Sequence, residues 1–558
     1  VIVRSNVPTL SNIASMVGPA FAVGLLFTLP GLAWSWAIPS SPRRGDACRR
    51  VFVLALPLTL LPAIVLAECG WFNAPALLAT AFVLGATGWM AGRNTILSAW
   101  HTPVVASLAM AAILILPLRG EWLLGGWDPG VNTNQGFLIS RTGTVRPPPT
   151  PAQADLPASA RPTFARKESG RWEAFPGIPL DPATGAYAHY FYRGTPTAIA
   201  WLHRWASASA AFRINYIFGA LALLFLYGWL RSTASPGAAC AGTWFALTQS
   251  VFLHHLHIPA SEMMELCLLA ALGWLTSTRA SRATQTLIAL LTLLAAMNRL
   301  SFLFLAAIAL GFHLVYTYTS PPPRDRYPTA PALAIGLVGG GLWYAFVNPG
   351  AMVKIAHLLP GLGLLTLLMV VVLAFSRWTP RSARRWALPA LLAGLILRES
   401  LHPEPWHEFL LNLPAWGSYT GWPAILVAAA GLLVALRRGS PAERAWMATL
   451  VTALFATLIY KHAADLFPWA TKRWLASTTL LASLGGAWAF ATVVRMRRPY
   501  GWIAAALLVT VPLWGQWDRL REALGNTEYD GANDALAEVA SHIGRDDVVL
   551  ADHFLWGT

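Results

Sequence analysis

Hydrophobic positions in this chain come in Leu/Ala/Val-rich runs that recur along nearly its whole length, each bounded by Arg, Pro or Trp. The runs lie near 17–38, 51–67, 75–91, 102–118, 213–231, 238–254, 262–278, 284–298, 300–318, 331–348, 352–375, 386–398, 417–436, 445–460, 474–494 and 500–515. They match the ~20 residues that a helix needs to cross the hydrocarbon core. The pattern predicts an all-α polytopic integral membrane protein of about 14–16 transmembrane helices, the shorter runs serving as re-entrant or half-helices.

Two polar regions interrupt the runs. The first, 119–212, opens with "GGWDPGVNTNQGFLISRTGTV" (125–145), which reads as a polar loop, and continues into "RPPPTPAQADLPASARP" (146–162), expected to be extended and mobile. The second follows Trp514. There "NDALAEVASHIG" has helical apolar spacing and "DDVVLAD" looks like a buried strand, so 516–558 reads as the start of a small α/β domain. The chain begins with Val and stops in mid-pattern, so it is expected to be incomplete at one or both ends, with this domain truncated. No cleavable signal peptide is in view, since the first apolar run, from about Val17, is long enough to span. The expected division is a four-span N-terminal extension (1–118), a large loop (119–212), the remaining transmembrane core (213–515) and the polar tail (516–558). No inverted repeat suggests a transporter.

Charge gives the runs a direction. One set of alternate loops holds Arg43, Arg44, Arg49, Arg50, Arg93, Arg231, Arg279, Arg282, Arg324, Arg326, Arg377, Arg381, Arg384, Arg385, Arg437, Arg438, Arg444, Arg495, Arg497 and Arg498, against three acids, Asp46, Asp325 and Glu443. The other 22 of the 25 acids fall on the opposite side. Cation excess marks the cytoplasmic face, so the 119–212 loop and the tail are expected to be extracytoplasmic. Composition agrees: 56% of the 558 residues are hydrophobic and 12% charged, too few charges for a soluble protein of this size. The net charge of +15 sits in short loops rather than in a polar domain, which argues against nucleic acid. The four cysteines have no metal-ligand spacing.

Candidate chemistry gathers at the expected outer ends of the runs. Asp128 lies in the opening loop. "FPGIPLDPATGAYAHYFYRGTPTAIAWLHRW" (175–205) carries Asp181, His189 and Arg193; "HHLHIPASEMME" carries His257, Ser261 and Glu262; "YKHAADLFPWATKRW" carries Lys461, His462, Asp465, Lys472 and Arg473. Arg299, in "AAMNRLSF", falls between two apolar runs, where a buried cation usually has a partner. Acid and cations at a lipid–water boundary suit transfer of a sugar carried on a polyprenyl phosphate. A carboxylate takes the acceptor hydroxyl's proton, and Arg or Lys offsets the charge of the leaving phosphate. Each residue also has a plainer job open to it. Asp128 and Asp181 suit turns, Glu262 a helix start, and Lys472 with Arg473 an interface anchor. His254, His255 and His257 lack the Cys or Asp set that would argue for a metal.

These residues also carry a resemblance. "GGWDPGVNTNQGFLISRTG", "FPGIPLDPATG" with "YFYRGTP", "IPASEMMELCLLAALGWL", "MNRLSFLFL" and "FPWATKRWLASTTLLASL" resemble, in order, segments of bacterial GT-C-fold membrane glycosyltransferases. That superfamily includes the protein O-mannosyltransferases and the lipid A aminoarabinose transferases. The resemblance covers about 120–490. It implies a GT-C-like fold, a polyprenyl-phosphate sugar donor and a lipid, glycan or protein acceptor. It implies Asp128 as catalytic base, with Glu262, Arg299, Lys472, Arg473, His189 and Arg193 as substrate-binding candidates. Metal ligands are expected to be none and a divalent ion not obligatory, since the opening loop has no Asp-x-Asp. The setting implied is a bacterial inner membrane with the site facing the periplasm. The chain differs from those relatives in Asn132, where an aromatic is common, and in Arg193, where His is common. It also differs in His257-Ile258-Pro259-Ala260, where Arg-Tyr-Pro-Thr is favoured, and in four spans ahead of the Asp loop. A lipid-linked sugar carrier and an oligosaccharide polymerase stand as alternatives.

Overall fold

The computed structural model describes residues 23–38, 46–91, 120–122, 128–147, 192–278, 281–319, 329–347, 403–460, 473–496, 499–525 and 532–544, with short stretches between 149 and 186. These residues are all-α apart from one small sheet. Helix α1 covers Val23–Ala33, α2 Asp46–Glu68, α3 Ala74–Ala91, α4 Asp128–Thr142, α5 Gly194–Trp205, α6 Ile214–Thr233, α7 Pro236–Leu247, α8 Ser250–Leu256, α9 Ser261–Thr276 and α10 Arg282–Asn298. Then come α11 Ser301–Thr319, α12 Ala330–Val347, α13 Pro403–Thr420, α14 Trp422–Arg438, α15 Pro441–Tyr460, α16 Leu475–Val493, α17 Tyr500–Trp514, α18 Trp517–Gly525 and α19 Ala532–Ser541.

Six stretches among the described residues are long and apolar enough to cross a membrane: Ala47–Glu68, Ala74–Ala91, Ala208–Thr233, Ala330–Val347, Pro441–Ile459 and Leu475–Val493. Counting each sharply bent pair as one span gives eight. The bent pairs are α8 with α9, at 116°, and Trp406–Thr420 with α14, at 95°. Three shorter apolar helices, Val23–Ala33, Ser301–Tyr316 and Tyr500–Trp514, match further expected runs. The run expected at 238–254 is instead two helices, α7 and α8, parted at Thr248 and Gln249. The run expected at 417–436 starts at Trp422, after an additional helix, α13, in what the charge pattern marked as a loop. The runs at 102–118, 352–375 and 386–398 lie outside the described residues, as does "DDVVLAD". Helix α19 falls on "NDALAEVASHIG", as its apolar spacing predicts.

The chain forms two compact units, 1–218 with 256–264 and 526–558, and 219–255 with 265–525. In the first, α1 is pinned to α3 by two indoles: Trp34 Nε1 donates to Leu84 O at 2.8 Å and Trp36 Nε1 to Gly88 O at 2.9 Å. Phe27 of α1 meets Trp201 of α5 edge-on, ring centroids 5.9 Å apart. The turn after α2 binds the end of α4, with Phe72 N donating to Gly143 O (3.0 Å) and Val145 N to Ala67 O (3.1 Å). Described parts of the N-terminal extension therefore fold as one body with the Asp128 segment. Between α4 and α5 an antiparallel sheet orders β1 (Arg166–Glu168), β2 (Arg171–Phe175) and β3 (Ile178–Pro179), with Lys167 opposite Trp172. The signal for β1–β2 was present, as two short runs flank Ser169-Gly170.

In the second unit α16 is the central helix. It packs on α14 through small residues, so that a Cβ on Gly485 would run into the backbone of Ala428, and one on Gly431 into that of Gly485. On another side Gly242 of α7 abuts Ser483 and Ala487. Small residues allow such close approach where lipid supplies no hydrophobic drive between helices. Gly485→Val is expected to force α14 and α16 apart and cost about 1–3 kcal/mol. A lower thermal unfolding midpoint in detergent would show it.

Candidate functional site

Asp128 is the first residue of α4, so the segment expected to be a polar loop is a helix. Local chemistry explains both ends. Asp followed by Pro is favoured at a helix start, because the acid serves the free N–H groups and Pro fits the first turn. Gly143, at φ +78°, takes the left-handed conformation that closes the helix, its N–H returning to Ile139 O at 2.9 Å. The helix has no apolar stripe. Asn132, Thr133, Gln135 and Ser140 are buried along with Val131, Phe137 and Ile139, and Gly136 lets the helix close onto Ile199 and Pro196 of α5.

Asn132, one turn after Asp128, donates from Nδ2 to Pro259 O at 3.2 Å. The 257–260 segment between α8 and α9 is held from other elements too. Trp122 Nε1 donates to His257 O at 3.1 Å, and Asn215 Nδ2 reaches Ile258 O and, at 3.1 Å, Ala260 O. Tyr216 OH is hydrogen-bonded to His257 Nδ1. Pinned by four side chains, this segment leads directly into Ser261 and Glu262, the first residues of α9. Glu262 is 1% exposed, and the Ser261 hydroxyl donates to its Oε2 at 3.5 Å. A carboxylate buried at a helix N-terminus is favoured by the dipole. Two acids thus stand at the starts of two helices, joined through Asn132 and Pro259.

Arg193 immediately precedes α5, and its Nε donates to Glu68 Oε1 at 2.6 Å, the two side chains 1% and 14% exposed. The sequence reading missed Glu68, an acid directly after an apolar run. In the second unit Arg299 has the partner its setting demands. Nη1 donates to Glu265 Oε2 at 2.9 Å, the side chains 14% and 12% exposed. Glu265 was also missed, although an acid inside "MMELCLLAALGWL" is itself a signal. Arg299 has extended backbone, φ −152° and ψ 130°, which separates α10 from α11. Arg473 is half-buried just ahead of α16, whereas Lys472, His189, Lys461, His462 and Asp465 lie outside the described residues. Asp181 accepts from the Thr184 hydroxyl at 2.7 Å, closing the turn its Asp-Pro sequence suggests.

The histidines divide by role. His255 uses Nδ1 on Val251 O (2.8 Å), and His257 is bonded to Tyr216. Among the described residues no group of three His, Cys, Asp or Glu side chains is arranged to hold a metal. His203 of α5 is hydrogen-bonded to Ser140 Oγ of α4 at 2.9 Å and lies 4.4 Å from the Phe137 ring. Burial lowers its pKa, and the nearby Arg141 and Arg204 lower it further. The neutral ring therefore belongs to the folded state. Its contribution is complete above the ordinary histidine value of about 6.5 and fades as pH falls through the lowered one. Thermal midpoints between pH 7.5 and 5 should fall more steeply for wild type than for His203→Gln.

The chain matches no known protein-family profile and no curated protein. Two crystal structures of the Archaeoglobus fulgidus oligosaccharyltransferase superpose in part. The complex with Zn and sulfate is 15% identical, with a TM-score of 0.42 over 75% of this chain. The form tethered by a disulfide bond to an acceptor peptide containing the NVT sequon is 14% identical, with a TM-score of 0.38 over 71%. This chain covers 55% of the length of each.

Proposed function

We propose that this protein is a GT-C-type membrane glycosyltransferase. It moves a sugar from a polyprenyl-phosphate donor to an acceptor hydroxyl on a lipid, glycan or protein, at the periplasmic face of a bacterial inner membrane. The observation that carries the reading is Asp128 at the start of a buried polar helix, tied through Asn132 and Pro259 to the entrance of the Glu262 helix. In the reaction, an Asp128 carboxylate oxygen takes the proton of the acceptor hydroxyl. The acceptor oxygen bonds to the anomeric carbon from the face opposite the phosphate, so the configuration inverts. The bond from the anomeric carbon to the phosphate oxygen breaks, and the polyprenyl phosphate leaves with its electron pair. That charge needs cations, for which the sequence offers Arg299, Lys472 and Arg473. His189 and Glu262 are proposed to contact substrate, and no divalent ion is required. Arg193, locked to Glu68, is proposed to act by holding the start of α5.

The test is transfer of labelled sugar from a polyprenyl-phosphate donor pool in membranes carrying the protein. Addition of one sugar per acceptor is expected. Long products would make it a polymerase, and movement of the donor across the bilayer without transfer would make it a carrier.

A further inference from the structure

We propose that Asn132 and Gln135 form a hydroxyl-binding stripe behind Asp128, and that its ligand is a sugar ring, of the donor or of the acceptor. This rests on the transferase proposed above. Spacing of i, i+4 and i+7 sets Asp128, Asn132 and Gln135 on one face of α4, within roughly 60° of each other. Phe137 and Ser140, which meet His203 and Phe212, occupy other directions around the helix. Asn132 and Gln135 are both 0% exposed. Asn132 commits Nδ2 to Pro259 O, and its Oδ1 has no hydrogen-bond partner among the described residues. In Gln135 neither Oε1 nor Nε2 has one.

Buried polar atoms are nearly always bonded, and each one left open costs stability. Three such atoms on the face of one acid mark groups kept for something that binds. Their chemistry restricts what that is. A side-chain amide sets an acceptor beside a two-proton donor, and a sugar hydroxyl both donates and accepts. Uncharged amides suit the ring rather than the phosphate, which calls for Arg or Lys.

The experiment uses the full chain in lipid nanodiscs, with prenyl-phosphate hexoses and pentoses as probes, comparing wild type with Gln135→Leu. Leucine fills similar space without the open polar atoms, so its thermal midpoint is expected to rise. The KM of one substrate is expected to rise about tenfold, the loss of one hydrogen bond's worth of binding. A rise for the donor assigns the stripe to the donor ring, and a rise for the acceptor to the acceptor ring. Unchanged KM for both, or loss of activity with a lowered midpoint, overturns the proposal. Binding is also read without turnover, as protection of the Asp128→Asn protein from thermal unfolding by the same probes, lost when Gln135→Leu is added. If wild type transfers nothing while this protection holds, the transferase reading fails and the stripe stands. If no sugar probe protects, the stripe fails whatever the activity.

Discussion

Asp128→Asn is expected to lower sugar transfer by a factor of about 10²–10⁴, the usual contribution of a positioned general base. The change isolates the proton. Asparagine serves a helix start as well as aspartate does, so α4 should still begin there with Pro129 and Gly130 in place. Gly136 against Ile199 and the Asn132 bond to Pro259 lie further along the helix and are untouched. The loss should fall on kcat, with little change in KM for either substrate, because the proton moves only as the transition state forms. Labelled transfer by wild type and variant, with matched thermal midpoints, measures it. Undiminished transfer would remove Asp128 from the chemistry and direct attention to Glu262, an acid at the start of another helix in the same unit.

The largest stability effect is expected at the Glu68–Arg193 pair. Glu68→Gln takes a carboxylate away from a guanidinium buried at 1% exposure, and Arg193→Leu takes the guanidinium away from that carboxylate. Breaking a buried pair from one side costs about 3–5 kcal/mol, whereas replacing both partners with apolar residues is often near neutral. The double variant Glu68→Leu with Arg193→Leu should therefore recover most of what either single change loses. The same turn of chain holds the end of α4 through Val145 N to Ala67 O and Phe72 N to Gly143 O. A single substitution is thus expected to loosen the Asp128 helix as well. Thermal midpoints in detergent, with protease sensitivity near Gly143, would show it. Transfer activity separates two roles for Arg193. Recovery in the double variant means that Arg193 positions α5, and continued loss means that it touches substrate.

How much was legible beforehand differs from element to element. The apolar runs at 51–67, 75–91, 331–348 and 474–494 correspond closely to α2, α3, α12 and α16, because a helix that crosses hydrocarbon must be apolar over most of its length. The need of Arg299 for a partner was legible for the same reason, since a cation in an apolar setting is costly alone. Which acid met it was not, as Glu265 lies 34 residues away along the chain. Helix α4 was misread because periodicity looks for an apolar stripe, and this helix buries amides and hydroxyls instead. Its end signals, Asp-Pro at one end and Gly143 at the other, were in the sequence all along.

The sequence by itself determined an all-helical membrane chain, the approximate places of its spans and the short set of acids and cations from which a site could be made. Burial of apolar length and the cost of charge in lipid are local properties, readable residue by residue. Tertiary structure decided the pairings: Arg193 with Glu68, Arg299 with Glu265, and Asn132 with Pro259. It also left the Gln135 side-chain amide buried with no hydrogen-bond partner among the described residues. Each of these depends on which distant segments pack together, and hydrogen bonds and ion pairs are satisfied across space rather than along the chain.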